Sequence, residues 1–291
     1  MRASYEVWRD RKGRLSPLRI GVLACLLFPV GLAVWTWYSE GLGARPLNDL
    51  IHRTGYWALI FLLVSLAVTP FRRIGRYWQI ADVRRMIGVG AFCYVATHLT
   101  LYIADQSFDL WKVTTEIAFR LYLTIGFVAW LGFATLAATS TDAMVKRLGG
   151  KTWRRVHQLS YGIALLALIH YFQQTKADVS VPTLTAGLFG WLMGYRFLIW
   201  WWRREGELSP LELAALTIVV CALTFLAETL GIALVFNAPP FAVLSTALDF
   251  SADIRPGWYV LGAGFAVVVL DLVRAWQRKP VAKVARKPVQ A

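Results

Sequence analysis

Residues 153–171 read WRRVHQLSYGIALLALIHY. Two arginines, Arg154 and Arg155, lead into a mostly apolar run that carries one histidine near its start, His157, and another near its end, His170. About 20 mostly apolar residues suffice for a helix to cross the ~30 Å hydrocarbon layer of a bilayer. Only helices and closed barrels satisfy their own backbone groups there, and long unbroken apolar runs favour helices. Working outward, seven further segments have the same character: 18–38, 54–71, 85–104, 117–139, 182–202, 211–236 and 257–274, with 156–173 making eight. The expectation is an all-α polytopic membrane protein: a basic arm over 1–17, a six-helix core over 18–205, a two-helix extension over 206–275 and a basic tail over 276–291. Ser209 followed by Pro210 is a helix start, with proline at the first helical position. The first apolar run is longer than the roughly 7–15 residues of a signal-peptide core and is read as a retained helix.

Composition agrees. Of 291 residues, 57% are hydrophobic and 16% charged, against about 25% charged in soluble domains. The net charge of +14 does not point to nucleic acid, because the basic residues sit in short clusters between apolar runs. Lys and Arg number six in the N-terminal arm, five in 71–85, five in 140–155, three in 196–212 and six in the tail, 25 on one side. The opposite side holds six: Arg45, Arg53, Lys112, Arg120, Lys176 and Arg255. The positive-inside rule then puts both termini in the cytoplasm. Cys25, Cys93 and Cys221 lie within apolar stretches, form no CxxC pair and are read as packing residues.

The four histidines carry the chemistry. An ionisable residue at membrane depth is costly and marks a function. His98 stands 14 residues beyond Arg84 and His170 stands 15 beyond Arg155, on helices that run in the same direction. At ~1.5 Å per residue the two imidazoles share one depth, toward the outer leaflet. Two facing neutral imidazoles supply the two axial ligands of a six-coordinate haem iron, so b-type haem is the expected cofactor. His157 lies about 20 Å lower by the same rise, where a second haem has room. The position across from it on the third helix holds Arg84, a poor iron ligand but a partner for a haem propionate. His52, placed just before the second helix, is a further candidate. Glu228 is the lone carboxylate well inside a segment and has no evident partner. Gly88 and Gly90 either let a porphyrin near the backbone or serve ordinary helix packing. The run Trp200-Trp201-Trp202 reads as an interfacial aromatic belt.

Several segments, in order, resemble the MsrQ (YedZ) family of the ferric-reductase-like transmembrane group: Gly41-Leu42-Gly43-Ala44-Arg45-Pro46, His52-Arg53-Thr54-Gly55, Thr69-Pro70, Arg84-Arg85-Met86-Ile87-Gly88, Thr97-His98-Leu99-Thr100-Leu101-Tyr102, Thr139-Ser140-Thr141-Asp142-Ala143-Met144, Trp153-Arg154-Arg155-Val156-His157 and Ile169-His170-Tyr171. The resemblance covers roughly 18–204. It implies a haem-binding inner-membrane cytochrome that passes electrons to a periplasmic molybdopterin reductase, MsrP, which repairs methionine sulfoxide. The implied donor is quinol or a cytosolic flavin reductase, and FMN is an implied second cofactor. His98, His157 and His170 match the family's haem-associated histidines, and Arg84 a conspicuous family arginine. Residues 208–291 exceed the usual six-helix form. Two alternatives remain at this point: a proton- or metal-coupled transporter using the same histidines, or a related haem reductase acting on metal or oxygen.

Overall fold

A computed structural model describes residues 7–9, 13–41, 43–175, 178–202, 207–251 and 253–277. The tail from 278 onward, the Arg203–Gly206 stretch, Lys176 and much of the basic arm lie outside the described residues. Among the described residues eleven helices follow one another: α1 (Pro17–Ser39), α2 (Pro46–Ile74), α3 (Arg84–Asp105) after a 3-10 turn (Trp78–Val83), α4 (Leu110–Phe119), α5 (Leu121–Ala138), α6 (Asp142–His157), α7 (Leu159–Gln174), α8 (Ser180–Trp201), α9 (Pro210–Phe236), α10 (Pro240–Leu248) and α11 (Pro256–Trp276). Among the described residues the one β-type pairing is an isolated bridge between Arg9 and Leu15. The chain is an all-α, polytopic membrane protein: among the described residues six helices, α1, α2, α3 with its leading turn, α5, α9 and α11, are long and apolar enough to cross a bilayer. Helix α7 has only 16 residues. Helix α8 is diluted by Thr183, Thr185, three glycines and Arg196.

Among the described residues six helices rather than the expected eight have spanning character, α10 is unexpected, and three further departures from the sequence expectation each have a local cause. Helix α2 starts at Pro46, with Asp49 in its first turn and an Asp49–Arg53 ion pair of 2.7 Å one turn apart. His52 is therefore inside α2, not before it; its polar neighbours hid the helix start. The segment 117–139 is two helices broken at Arg120, whose φ of −108° and ψ of 107° are extended. The stretch 140–155, expected as a loop, is the amphipathic α6, bent at Gly149, where φ is +73°. Thr141 caps it by accepting from the Met144 amide at 3.2 Å. His157 closes α6 and so does not share a helix with His170.

Helix pairs α2/α3 and α5/α7 pack together and meet through α3–α5 and α2–α7 contacts. Helix α8 leans on α2 and α7, and α9 and α11 lean on α8. One apolar core runs through all of these, from Leu62, Leu66 and Ile87 through Ala164 and Leu168 to Tyr195, Leu213 and Val260. Lipid supplies no hydrophobic drive between helices, so close fit and small residues carry the association. A methyl group added at Gly90 would sit 2.6 Å from Leu26 of α1, one at Gly132 2.6 Å from Ile163 of α7, and one at Gly187 2.6 Å from Val260 of α11. Helix α9 opens on a reciprocal box: Ser209 Oγ accepts from the Glu212 amide at 3.3 Å, and Glu212 Oε2 accepts from the Ser209 amide at 2.7 Å. That satisfies two of the donors a helix start leaves open. The last helices are also held by Arg76–Glu207 at 2.7 Å at one end and by an Arg255–Glu228 pair toward the other. Glu228 thus has the partner that the sequence did not reveal.

Candidate functional site

The sequence places His98 on α3 and His170 on α7 at matched distances from basic pairs, and the fold brings them face to face. Their ring centroids are 6.3 Å apart and their planes stand at 88°. His98 Nδ1 lies 2.8 Å from the Ile51 carbonyl oxygen of α2, and His170 Nδ1 lies 2.7 Å from the Tyr122 carbonyl oxygen of α5. A carbonyl oxygen only accepts, so each Nδ1 carries the proton and each Nε2 keeps its lone pair. An imidazole tied through one nitrogen to a backbone carbonyl is the usual arrangement of a metal-ligating histidine.

The two histidines are seated by the same device. Gly55 follows Ile51 by one turn, and Gly126 follows Tyr122 by one turn. A methyl group at Gly55 would lie 3.0 Å from Cε1 and Nδ1 of His98, and one at Gly126 would lie 2.8 Å from the same atoms of His170. The Nδ1–Cε1 edge of each ring therefore abuts a neighbouring helix where only glycine leaves room, with its N–H directed at the carbonyl one turn earlier. This fixes ring position and tautomer together. Gly88 and Gly90 have other work: a methyl at Gly88 would meet only Ser65 Oγ at 3.7 Å, and Gly90 seats Leu26. At Gly90 this is the ordinary helix packing that the sequence offered as one of two readings, with Leu26 of α1 as the partner.

Between the histidines opens a cavity of about 340 Å3. Its body is apolar, lined by Leu59, Val95, Leu99, Phe127, Trp130 and Phe133, and its rim is polar, with Asn48, His52, Gln106, Glu116, Arg120 and Gln174. Helix α4 roofs part of it. Tyr102 Oη donates to Glu116 Oε2 at 2.7 Å, Arg120 Nη2 pairs with Glu116 Oε1 at 3.2 Å, and Arg120 Nη1 donates to Tyr122 Oη at 3.3 Å. A planar group with an apolar body and an anionic edge matches such a space. His98 and His170 are the residues that could hold a metal ion at this cavity.

The other candidates lie apart from this pair or at its edge. His52 is on the rim, exposed, with Nδ1 2.7 Å from the Asn48 carbonyl. His157 does not line the cavity. Its ring stacks on Trp153 with centroids 3.9 Å apart, Nδ1 is 3.1 Å from the Trp153 carbonyl, and Nε2 is 3.4 Å from Ser140 Oγ. Arg84 lies within electrostatic reach of His157 and stands in a group of arginines. Reasoning from the sequence missed Gly55, Gly126, Glu116 and Arg120. Only the pairing of α2 with α3 and of α5 with α7 makes those glycines meaningful.

Residues 54–168 match the family described as the ferric reductase like transmembrane component. The heme-binding subunit MsrQ of protein-methionine-sulfoxide reductase from Xanthomonas campestris pv. campestris is 39% identical over 193 residues, 64% of this chain and 86% of that protein. The subunit of the same name from Rhodospirillum rubrum is 41% identical over 208 residues, 69% of this chain and 95% of that protein. The one from Xanthomonas oryzae pv. oryzae is 41% identical over 182 residues, 60% and 83% of the two chains. No solved structure matches. With the extent of these likenesses and the paired imidazoles between α3 and α7, the chain belongs to the MsrQ family of heme-binding subunits, within the ferric-reductase-like membrane proteins.

Proposed function

We propose that this chain is a b-type cytochrome of the bacterial inner membrane, with both termini cytoplasmic, that carries electrons outward to a periplasmic molybdopterin reductase, MsrP, which repairs methionine sulfoxide. The observation that carries the reading is the His98–His170 pair: two imidazoles with Nδ1 engaged, Nε2 free and ring centroids 6.3 Å apart, across an apolar cavity with a polar rim. His98 and His170 would hold the iron of one haem b, and a bound haem supplies a site that takes up and gives off one electron at a time. Ile51 and Tyr122 orient the rings through their carbonyls. Leu59, Val95, Phe127 and Phe133 keep water from the iron, and Arg120 and His52 stand at the rim where carboxylate groups would emerge. His157 and Arg84 lie apart from this pair and stand outside its ligand set; His157 stacks on Trp153 with Nδ1 3.1 Å from the Trp153 carbonyl, away from the cavity. Electrons would come from quinol or a cytosolic flavin reductase, and FMN is included as a second cofactor on the family resemblance alone.

The test is a pyridine-haemochrome assay with haem-to-protein stoichiometry on chain expressed with ample haem supply. One haem per chain is expected, lost in His98→Ala and in His170→Ala and kept in His157→Ala. Colourless wild-type protein overturns the reading. Electron delivery is tested separately: the reduced chain should reoxidise on adding purified MsrP with a methionine-sulfoxide substrate, and not with substrate alone.

A further inference from the structure

At the opposite end of the bundle from the histidine pair stand three arginines, Arg72 of α2, Arg84 of α3 and Arg196 of α8. Arg84, the first residue of α3, lies within electrostatic reach of Arg72, Arg196 and Tyr161. Arg196 of α8 is turned into the bundle: it donates to the Leu66 carbonyl of α2 at 2.5 Å and to the Leu192 carbonyl at 2.7 Å. Its guanidinium carbon stands 5.4 Å above the Tyr161 ring of α7. Arg72 of α2 covers Trp78 at 5.1 Å, and its Nε is buried without a hydrogen-bond partner.

Among the described residues, ion pairs engage Arg53, Arg76, Arg85, Arg120 and Arg255, and none engages Arg72, Arg84 or Arg196. Each of these three cations raises the cost of the other two where water is scarce. The nearby Arg85 illustrates the contrast, since it faces Asp142 at 2.5 Å. Three arginines within electrostatic reach and without an ion-pair partner, one of them with an unused buried donor, suit a tetrahedral anion that offers several oxygens. Guanidinium forks match phosphate oxygens two at a time, and a basic pocket between membrane helices is where phosphate-bearing headgroups bind.

We infer that Arg72, Arg84 and Arg196 form a binding site for a phosphate ester. The ester comes either from an anionic lipid headgroup or from a soluble phosphorylated ligand. The inference is independent of the haem assignment.

The test uses the full chain, delipidated in a neutral detergent, with thermal stability followed on adding inorganic phosphate or short-chain phosphatidylglycerol. Stabilisation of the wild type is expected. Phosphatidylglycerol acting alone assigns the lipid source, and inorganic phosphate acting as well assigns the soluble one. Arg84→Gln and Arg72→Gln remove no hydrogen bond within the chain and should need at least tenfold more probe for the same shift, whereas Arg85→Gln should respond as the wild type. Without probe, Arg84→Gln should melt higher than the wild type, because a repulsion has been relieved. Native mass spectrometry of protein purified without delipidation should show a retained phosphate ester that Arg84→Gln lacks. The inference is overturned if neither probe stabilises the wild type. It also fails if Arg84→Gln and Arg72→Gln respond like the wild type, or if the chain holds a second haem that Arg84→Gln removes, assigning the arginines to haem carboxylates.

Discussion

Replacing Gly126 with alanine puts a methyl group 2.8 Å from Cε1 and Nδ1 of His170, closer than carbon atoms tolerate. The ring cannot stay where it is. Overpacking of this kind costs about 1–3 kcal/mol, and a ring pushed off its seat also strains the 2.7 Å hydrogen bond to the Tyr122 carbonyl, worth about 0.5–1.5 kcal/mol. At roughly 1.4 kcal/mol per tenfold, the first term alone weakens haem retention about 5- to 150-fold. At Gly55 the same substitution meets His98 at 3.0 Å, so a smaller displacement suffices and the loss should be milder. Gly162 is the control: it lies on α7, the helix of His170, and a methyl group there meets nothing within 4 Å. The assay is haem per chain, by pyridine haemochrome, with the reduced-minus-oxidised spectrum of protein purified at matched haem supply. The expected order of loss is Gly126→Ala, then Gly55→Ala, with Gly162→Ala unchanged. Full stoichiometry and a wild-type spectrum in Gly126→Ala would refute the cradle, as would an equal loss in Gly162→Ala.

Three more outcomes follow from the same geometry. His98→Ala and His170→Ala should each abolish the one-haem spectrum, because removing either imidazole leaves a single axial ligand, while His157→Ala keeps it. At the cavity rim, Arg120→Gln should lower the haem midpoint potential and Glu116→Gln should raise it, since electron uptake adds negative charge. Redox titration giving both variants a shift of the same sign would contradict this. Arg255→Gln leaves Glu228, whose side chain is 1% exposed, without its cation. The cost should be roughly 3 kcal/mol, the lower end for a broken buried pair, because Arg255 keeps 24% exposure. Thermal melting should show Glu228→Gln combined with Arg255→Gln recovering most of that loss, and a double variant as unstable as Arg255→Gln alone would argue against a pair.

Much of this was legible in the chain because lipid imposes simple rules. Apolar length marks the helices, as at α1 and α9, and Ser209 and Pro210 mark the start of α9 correctly. Counting from the basic pairs matches His98 and His170 before any fold is known, although Arg154 and Arg155 lie on α6 and His170 on α7. Helices dressed in charge were harder to see. Helix α6 carries five Lys and Arg residues and reads as a loop, and the first turns of α2 are polar enough to hide His52 inside the helix. In both, the amphipathic interface defeats a rule built for the apolar middle.

The sequence by itself determined an all-α membrane chain, the alternation of basic and apolar stretches, and the common level of two imidazoles, because one-dimensional spacing converts directly into depth. Only the tertiary structure decided which face each imidazole presents and what lies behind it. Gly55 and Gly126 mean nothing until α2 lies against α3 and α5 against α7. Glu228 has no partner until the start of α11 brings Arg255 to it. Three arginines on three helices are ordinary positive charge until packing brings them within electrostatic reach. Rotation about a helix axis and the choice of neighbour are set by side-chain fit, which spacing along a single helix does not encode.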